Sequence, residues 1–208
     1  MKRERIFQRC ILLLADLLIM AFGVALSARS ELGTSPISSL PYVLSLGLPL
    51  PIGQFTILQH IGFILIQILL LRKNFQPIQL LQLAAVICFG AFTDGAMYLL
   101  RWFQPSFYWQ QWAGVLVGCV LVGIGVSFEI RASLITLAGD GLVKVISQVF
   151  YIDFGKTKIC FDCVLVALAI ICSLLLFHTM RGVGEGTVAA AVLVGTIARF
   201  AGKRLPQP

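Results

Sequence analysis

The chain repeats itself across its midpoint. Shifted by 102 residues, the window 23–40 falls on 125–142, and six of the 18 paired positions are identical: Gly23/Gly125, Val24/Val126, Arg29/Arg131, Leu32/Leu134, Thr34/Thr136 and Leu40/Leu142. In a chain rich in Leu, Val and Ile, chance supplies roughly one or two such matches. Val43/Val145, Ser45/Ser147 and Gly53/Gly155 stay in step at the same offset. A duplicated unit constrains the architecture more tightly than any single motif, because each half must build the same fold.

The material of that fold is set by composition. With 59% hydrophobic and 12% charged residues and a mean hydropathy of +0.95, the chain lacks the charge to coat a water-soluble domain and belongs in a bilayer. Crossing about 30 Å of hydrocarbon takes around 20 helical residues. Six segments are expected to do so, at 8–28, 53–71, 78–100, 112–130, 158–177 and 187–202. Unpaired backbone is costly in lipid, so the fold class is an all-α bundle. It is read as a single membrane domain over 1–208, with repeat 1 at about 8–101, repeat 2 at about 112–204 and the 104–111 loop as the boundary. Trp102, Tyr108, Trp109 and Trp112 suit an interfacial belt on one side. A basic start (MKRERIFQR) without a small-residue cleavage site after the first apolar run reads as a retained helix.

Basic residues orient the chain. With the N-terminus inside, Lys2, Arg3, Arg5, Arg9, Arg72, Lys73, Arg131, Lys144, Lys156, Lys158, Arg199, Lys203 and Arg204 are internal, and only Arg29, Arg101 and Arg181 are external. Both termini are therefore expected on the cytoplasmic side. The net charge of +7 is a topological and anionic-lipid signal, so no nucleic-acid partner is inferred. An odd number of spans per repeat also inverts the second copy, which relates the halves by a pseudo-two-fold axis in the membrane plane, as in many secondary transporters.

The most repeated stretch is also the most polar. After Arg29 and Glu31 come Gly33, Thr34, Ser35 and Pro36. Thr34 or Ser35 is the expected N-cap and Pro36 the first residue of a helix of about three turns, ended by Gly47, Pro49 and Pro51. The second copy places Thr136, Gly139 and Asp140 in the corresponding turn, with a helix over 141–150. Half-helices at matching positions of inverted copies point to a binding site. Their N-termini, with Arg29 and Arg131 close by, suit a small anion or carboxylate. Whether 34–47 and 136–149 dip into the membrane or lie along its surface stays open on sequence grounds.

Asp16 and Asp94 lie inside spans and are the candidates for coupling a proton or cation. Asp162 and His60 fit hydrogen-bonded structural roles, and Glu129 and Arg131 form a candidate intramolecular pair. Cys160 and Cys163 share a helix face, but no second pair completes a metal site; core packing is the expected use of all six cysteines. No phosphate loop, nucleophile elbow or zinc-hydrolase helix is present, so neither an enzyme, a cofactor nor a metal is expected.

The turn Leu32-Gly33-Thr34-Ser35-Pro36 is similar to the LGxGP turn of the YczE/YyaS/YitT group of bacterial inner-membrane proteins. Gly184-Glu185-Gly186-Thr187, followed by Val194, Gly195 and Arg199, is similar to that group's EGT…VG…R pattern. The resemblance covers nearly the whole chain, although Leu134 to Ala138 departs from the turn in the second copy. It implies a membrane location and fold, and adds Glu185 and Thr187 to the candidate site.

The expected function is a secondary transporter or permease for a small, anionic solute. The substrate-binding candidates are Arg29, Gly33, Thr34, Ser35, Arg131, Thr136, Asp140, Glu185 and Thr187, with Asp16 and Asp94 coupling ions. The alternative is a non-transporting solute-capture or accessory subunit that needs a partner, for which Ala21 and Ala25 offer a small-residue helix face. Expected partners are a small-molecule or ion substrate, the lipid bilayer, and either a second copy or a partner membrane subunit.

Overall fold

The computed structural model describes residues 2–132 and 136–204; the side chains of residues 2–9, 130–132 and 202–204 lie outside that description. The described residues form helices joined by short turns: α1 (Lys2–Arg29), α2 (Pro36–Gly47), α3 (Ile52–Leu71), α4 (Leu81–Leu99), α5 (Tyr108–Ala132), α6 (Ala138–Phe150), α7 (Phe154–Phe177) and α8 (Glu185–Arg204). Five helical segments are long and apolar enough to cross a membrane, at Cys10–Arg29, Ile52–Asn74, Pro77–Trp102, Tyr108–Glu129 and Phe154–Phe177. Helix α8, read from sequence as the sixth span, is not among the five. It carries Glu185 in its first turn and Arg199, Lys203 and Arg204 towards its end.

The sequence offset reappears in the helix boundaries. α2 begins at Pro36 and α6 at Ala138, α3 at Ile52 and α7 at Phe154, each pair 102 residues apart. The packing repeats in part, since α3 lies on α4 without a comparable contact of α7 on α8. α1 lies on α4 as α5 lies on α8, α2 on α7 as α6 on α3, and α2 on α8 as α6 on α4. The equivalent helices α1 and α5 form the central seam and run antiparallel. A Cβ on Gly125 would meet Met20, one on Gly118 would meet Ser27, and one on Gly114 would meet Ser30. These glycines let the two backbones approach to a distance no side chain permits, the usual route to tight packing where lipid supplies no hydrophobic drive.

The short helices sit deep against α3. Pro41 lies inside α2 and has no N–H for the carbonyl one turn back, which belongs to Ile37. That carbonyl is taken instead by Gln59 Nε2 at 2.8 Å. On the other short helix the Ala138 carbonyl accepts Gln67 Nε2 at 3.0 Å. Both glutamines belong to α3, whose midpoint falls between His60 and Gly62. At 1.5 Å rise per residue, Gln59 and Gln67 lie about 4 Å and about 8 Å to either side of it. Both short helices thus begin near the middle of a span. Their N-termini also touch, since a Cβ on Gly139 would come within 2.2 Å of Ile37 Cδ1.

In the first copy the helix starts where expected, with Ser35 at the N-cap position and Pro36 opening α2, but the Ser35 hydroxyl makes no capping bond to the backbone. In the second copy the helix starts at Ala138, three residues before the expected 141. The reason is a distant side chain: Glu129 Oε1 accepts the Leu137 N–H at 2.5 Å and ends the chain of unpaired donors there. The cysteines also differ from expectation. Cys160 and Cys163 are free and exposed on α7, as is Cys10 on α1, and only Cys119 is fully buried. A CxxC spacing does not distinguish outward-facing thiols from core ones.

Candidate functional site

Polar groups concentrate where α2 and α6 meet. Thr34, Ser35, Ser38 and Ser39 are buried at the start of α2. Ser35 Oγ donates to Ser38 Oγ at 3.2 Å, and Ser39 Oγ donates to the Pro36 carbonyl at 2.7 Å. The Thr34 hydroxyl is 1% exposed and has no hydrogen-bond partner among the described residues. On the α6 side, Gln67 Nε2 also reaches Gln82 Oε1 at 3.2 Å. Gly141 fits against both amides, because a Cβ there would lie 3.0 Å from Gln82 Nε2 and 3.3 Å from Gln67 Nε2.

A cavity of about 870 Å³ opens beside this cluster, lined by Gln67, Gln79, Gln82, Glu129, Thr136 and Lys144 among others. α1 runs parallel to α4, whose end it reaches through Arg29, and α4 runs antiparallel to α3. The cavity, near the C-terminal ends of α3 and α5, therefore lies on the side where α1 begins. Amides and a carboxyl group along one wall suit a hydrogen-bonding solute rather than a lipid tail. A second cavity of about 480 Å³ at the opposite end is lined mainly by apolar groups, including Trp102, Phe103 and Trp109.

The expected site residues distribute over three places. Thr34, Ser35 and Thr136 belong to the meeting point of the short helices and the cavity beside it. Gly33, at φ 102°, abuts the first turn of α8: a Cβ there would meet Thr187 Oγ1 at 2.3 Å and Gly184 N at 2.9 Å. The Gly186 N–H donates to the Leu32 carbonyl at 2.9 Å, so the two stretches that carry the family resemblance pack on each other. Thr187 is the third residue of α8. Its hydroxyl lies 3.4 Å from Gly184 N. Glu185 is apart from the cluster, exposed and hydrogen-bonded to the Tyr108 hydroxyl at the start of α5.

Arg29 Nη2 donates to the Met97 carbonyl at 2.8 Å and ties α1 to α4. The side chain of Arg131 lies outside the described residues, as does its expected pairing with Glu129. Asp94 Oδ1 accepts the Gly53 N–H at 2.6 Å, a side-chain cap on the first turn of α3 lent by a neighbouring helix. Asp140 and Asp162 share Lys158 at 3.0 Å and 3.1 Å, which locks α6 to α7. Lys158→Met should therefore lower the unfolding midpoint by an amount worth about 1 kcal/mol, a modest cost because the lysine is 31% exposed. Added salt should shrink the difference between variant and parent, and a difference indifferent to salt would rule out the ionic origin.

Asp16 is fully buried, and neither carboxylate oxygen has a partner among the described residues. Glu129, 2% exposed, keeps Oε2 unpartnered among them as well. Glutamines 59, 67 and 82 and Glu129 are the site groups that the sequence reading leaves out. The signal for the glutamines was there in outline, since an amide within an apolar span is costly unless paired.

The chain matches the family of unknown function DUF6198 over residues 7–203. It belongs to that family. It is 28% identical over 208 residues to the uncharacterized membrane protein YczE of Bacillus subtilis (strain 168), covering 100% of this chain and 89% of the relative. To the uncharacterized protein YyaS of the same organism it is 26% identical over 172 residues, covering 81% and 80% of the two chains. No solved structure matches. With several long apolar helices and a membrane-protein homologue, this DUF6198 member is a membrane protein.

Proposed function

We propose that this DUF6198 protein is a small secondary transporter or permease, without enzymatic activity, that binds its solute where α2 and α6 meet. The observation that carries this reading is the convergence of two half-helix N-termini near the midpoint of α3. Helix starts carry the positive end of the helix dipole, which favours a solute with an anionic or carboxylate group. The antiparallel seam between the equivalent helices α1 and α5 supports an inverted repeat. The matching packing of α1 on α4 and α5 on α8 supports α8 as the sixth span. In this arrangement α2 and α6 are re-entrant, both termini face the cytoplasm of the inner membrane, and the large cavity opens inward.

The test is a cysteine-accessibility scan of 33–46 and 136–146 on a background without the six native cysteines, using an impermeant thiol reagent on each side of sealed vesicles. Labelling of either segment from both sides, or its protection by a small carboxylate, is the expected result. One-sided labelling, outside for the first segment and inside for the second, would overturn the re-entrant site and with it the transport reading.

A further inference from the structure

Beside the proposed solute site the bundle holds two carboxyl groups that its hydrogen bonding does not use up. Asp16 lies on α1 and Glu129 on α5. The antiparallel seam sets their heights: Met20 sits against Gly125, so Asp16, one turn earlier on α1, faces the turn of α5 after Gly125, which contains Glu129. Gly125 confirms the level directly, since a Cβ there would lie 3.1 Å from the Asp16 carbonyl. Asp16 is sealed, at 0% exposure, whereas Glu129 lines the 870 Å³ cavity. Glu129 commits Oε1 to the Leu137 N–H at 2.5 Å and leaves Oε2 unpartnered among the described residues, as Asp16 leaves both oxygens.

Two carboxylates facing each other in a low-dielectric interior cannot both remain ionised without a cation or proton between them. Among the described residues no cation pairs with either carboxyl. Lys158 on α7 is bound to Asp140 and Asp162. Asp140 on α6 adds a further negative charge. Lys144, on α6, lines the same cavity. His60 faces Thr56 on its own helix, with Nδ1 2.9 Å from that carbonyl. Arg131, two residues beyond Glu129, has its side chain outside the described residues.

We propose that Glu129 and Asp16 form one proton-binding pair, loaded from the cavity through Glu129 Oε2, that couples solute movement to protons. Each loading adds one proton to a carboxylate oxygen and breaks no bond to carbon. Because Glu129 also holds the N–H just ahead of α6, the bound proton competes with the bond that anchors one wall of the solute site. The coupling role rests on the transporter reading; the proton site itself does not.

The test is infrared difference spectroscopy of the full chain in sealed, uniformly oriented vesicles, titrated from about pH 9 to about pH 5, following the C=O stretch of a protonated carboxyl. The expected result is a band that follows the pH on the cavity face alone, is lost in Glu129→Gln and is shifted in Asp16→Asn. A band unchanged in both variants, or one that follows the pH on the opposite face, would overturn the proposal. If Glu129→Gln fails to insert, Glu129→Asp keeps a carboxyl and should shift the band. The two readings fail separately: a one-sided thiol scan with this band intact would leave the proton site without a transporter, and a two-sided scan without the band would leave a transporter without this proton site.

Discussion

Gly118→Val is expected to separate the central seam and lower the stability of the bundle by about 3 kcal/mol, read as the unfolding midpoint in a detergent titration. The first added carbon would lie 2.2 Å from Ser27 Oγ, 2.7 Å from the Gly23 carbonyl and 3.2 Å from Ser27 N. Two of those atoms are backbone, so no rotamer change relieves the overlap and α1 must move away from α5. Gly62→Ala is the contrasting case, with nothing within 4 Å of the new carbon. It should be neutral or stabilising by about 0.5–1 kcal/mol, the usual gain for Ala over Gly inside a helix. Equal effects at both positions would mean that α1 and α5 do not pack through their glycines.

Gly33→Ala is expected to cost a similar amount, about 3 kcal/mol, by two routes. At φ 102° an L side chain is strained by about 1–2 kcal/mol. The new methyl group would also meet Thr187 Oγ1 at 2.3 Å and Gly184 N at 2.9 Å. Thr187→Ala removes only the hydroxyl overlap, so in that background the cost of Gly33→Ala should fall by about 1 kcal/mol and no further. Additive effects of the two substitutions would show that the turn before α2 does not rest on the start of α8. The measurement also bears on the site, because this contact holds the turn from which α2 begins.

Much of the architecture was legible because it depends on local or periodic pattern. The 102-residue offset in the sequence reappears in the starts of α2 and α6 and of α3 and α7. Ser35 and Pro36 marked the beginning of α2, since a cap and an N1 proline act within one turn. Asp16 stood out as an ionisable residue inside an apolar span, and the structure buries it completely. The start of α6 was misplaced because its donor is satisfied by Glu129, eight residues upstream on another helix. Nothing in the local pattern of 134–141 carries that information.

The sequence by itself determined the 102-residue spacing of the helix starts, five apolar spans and the presence of two short helices. These follow from residue type and spacing along a single helix. Only the tertiary structure decided that the two short helices meet near the midpoint of α3, that Gln59 takes the carbonyl freed by Pro41, and that Asp16 and Glu129 share one level of the seam. It also decided that Cys160 and Cys163 face outward. Each of those outcomes depends on how far one helix is rotated about its axis and shifted against its neighbour. An amide, carboxyl or thiol within an apolar helix reads the same whether that rotation points it at a carbonyl, a second carboxyl or lipid. The rotation is set by where glycines let backbones touch, and that is a property of two helices together.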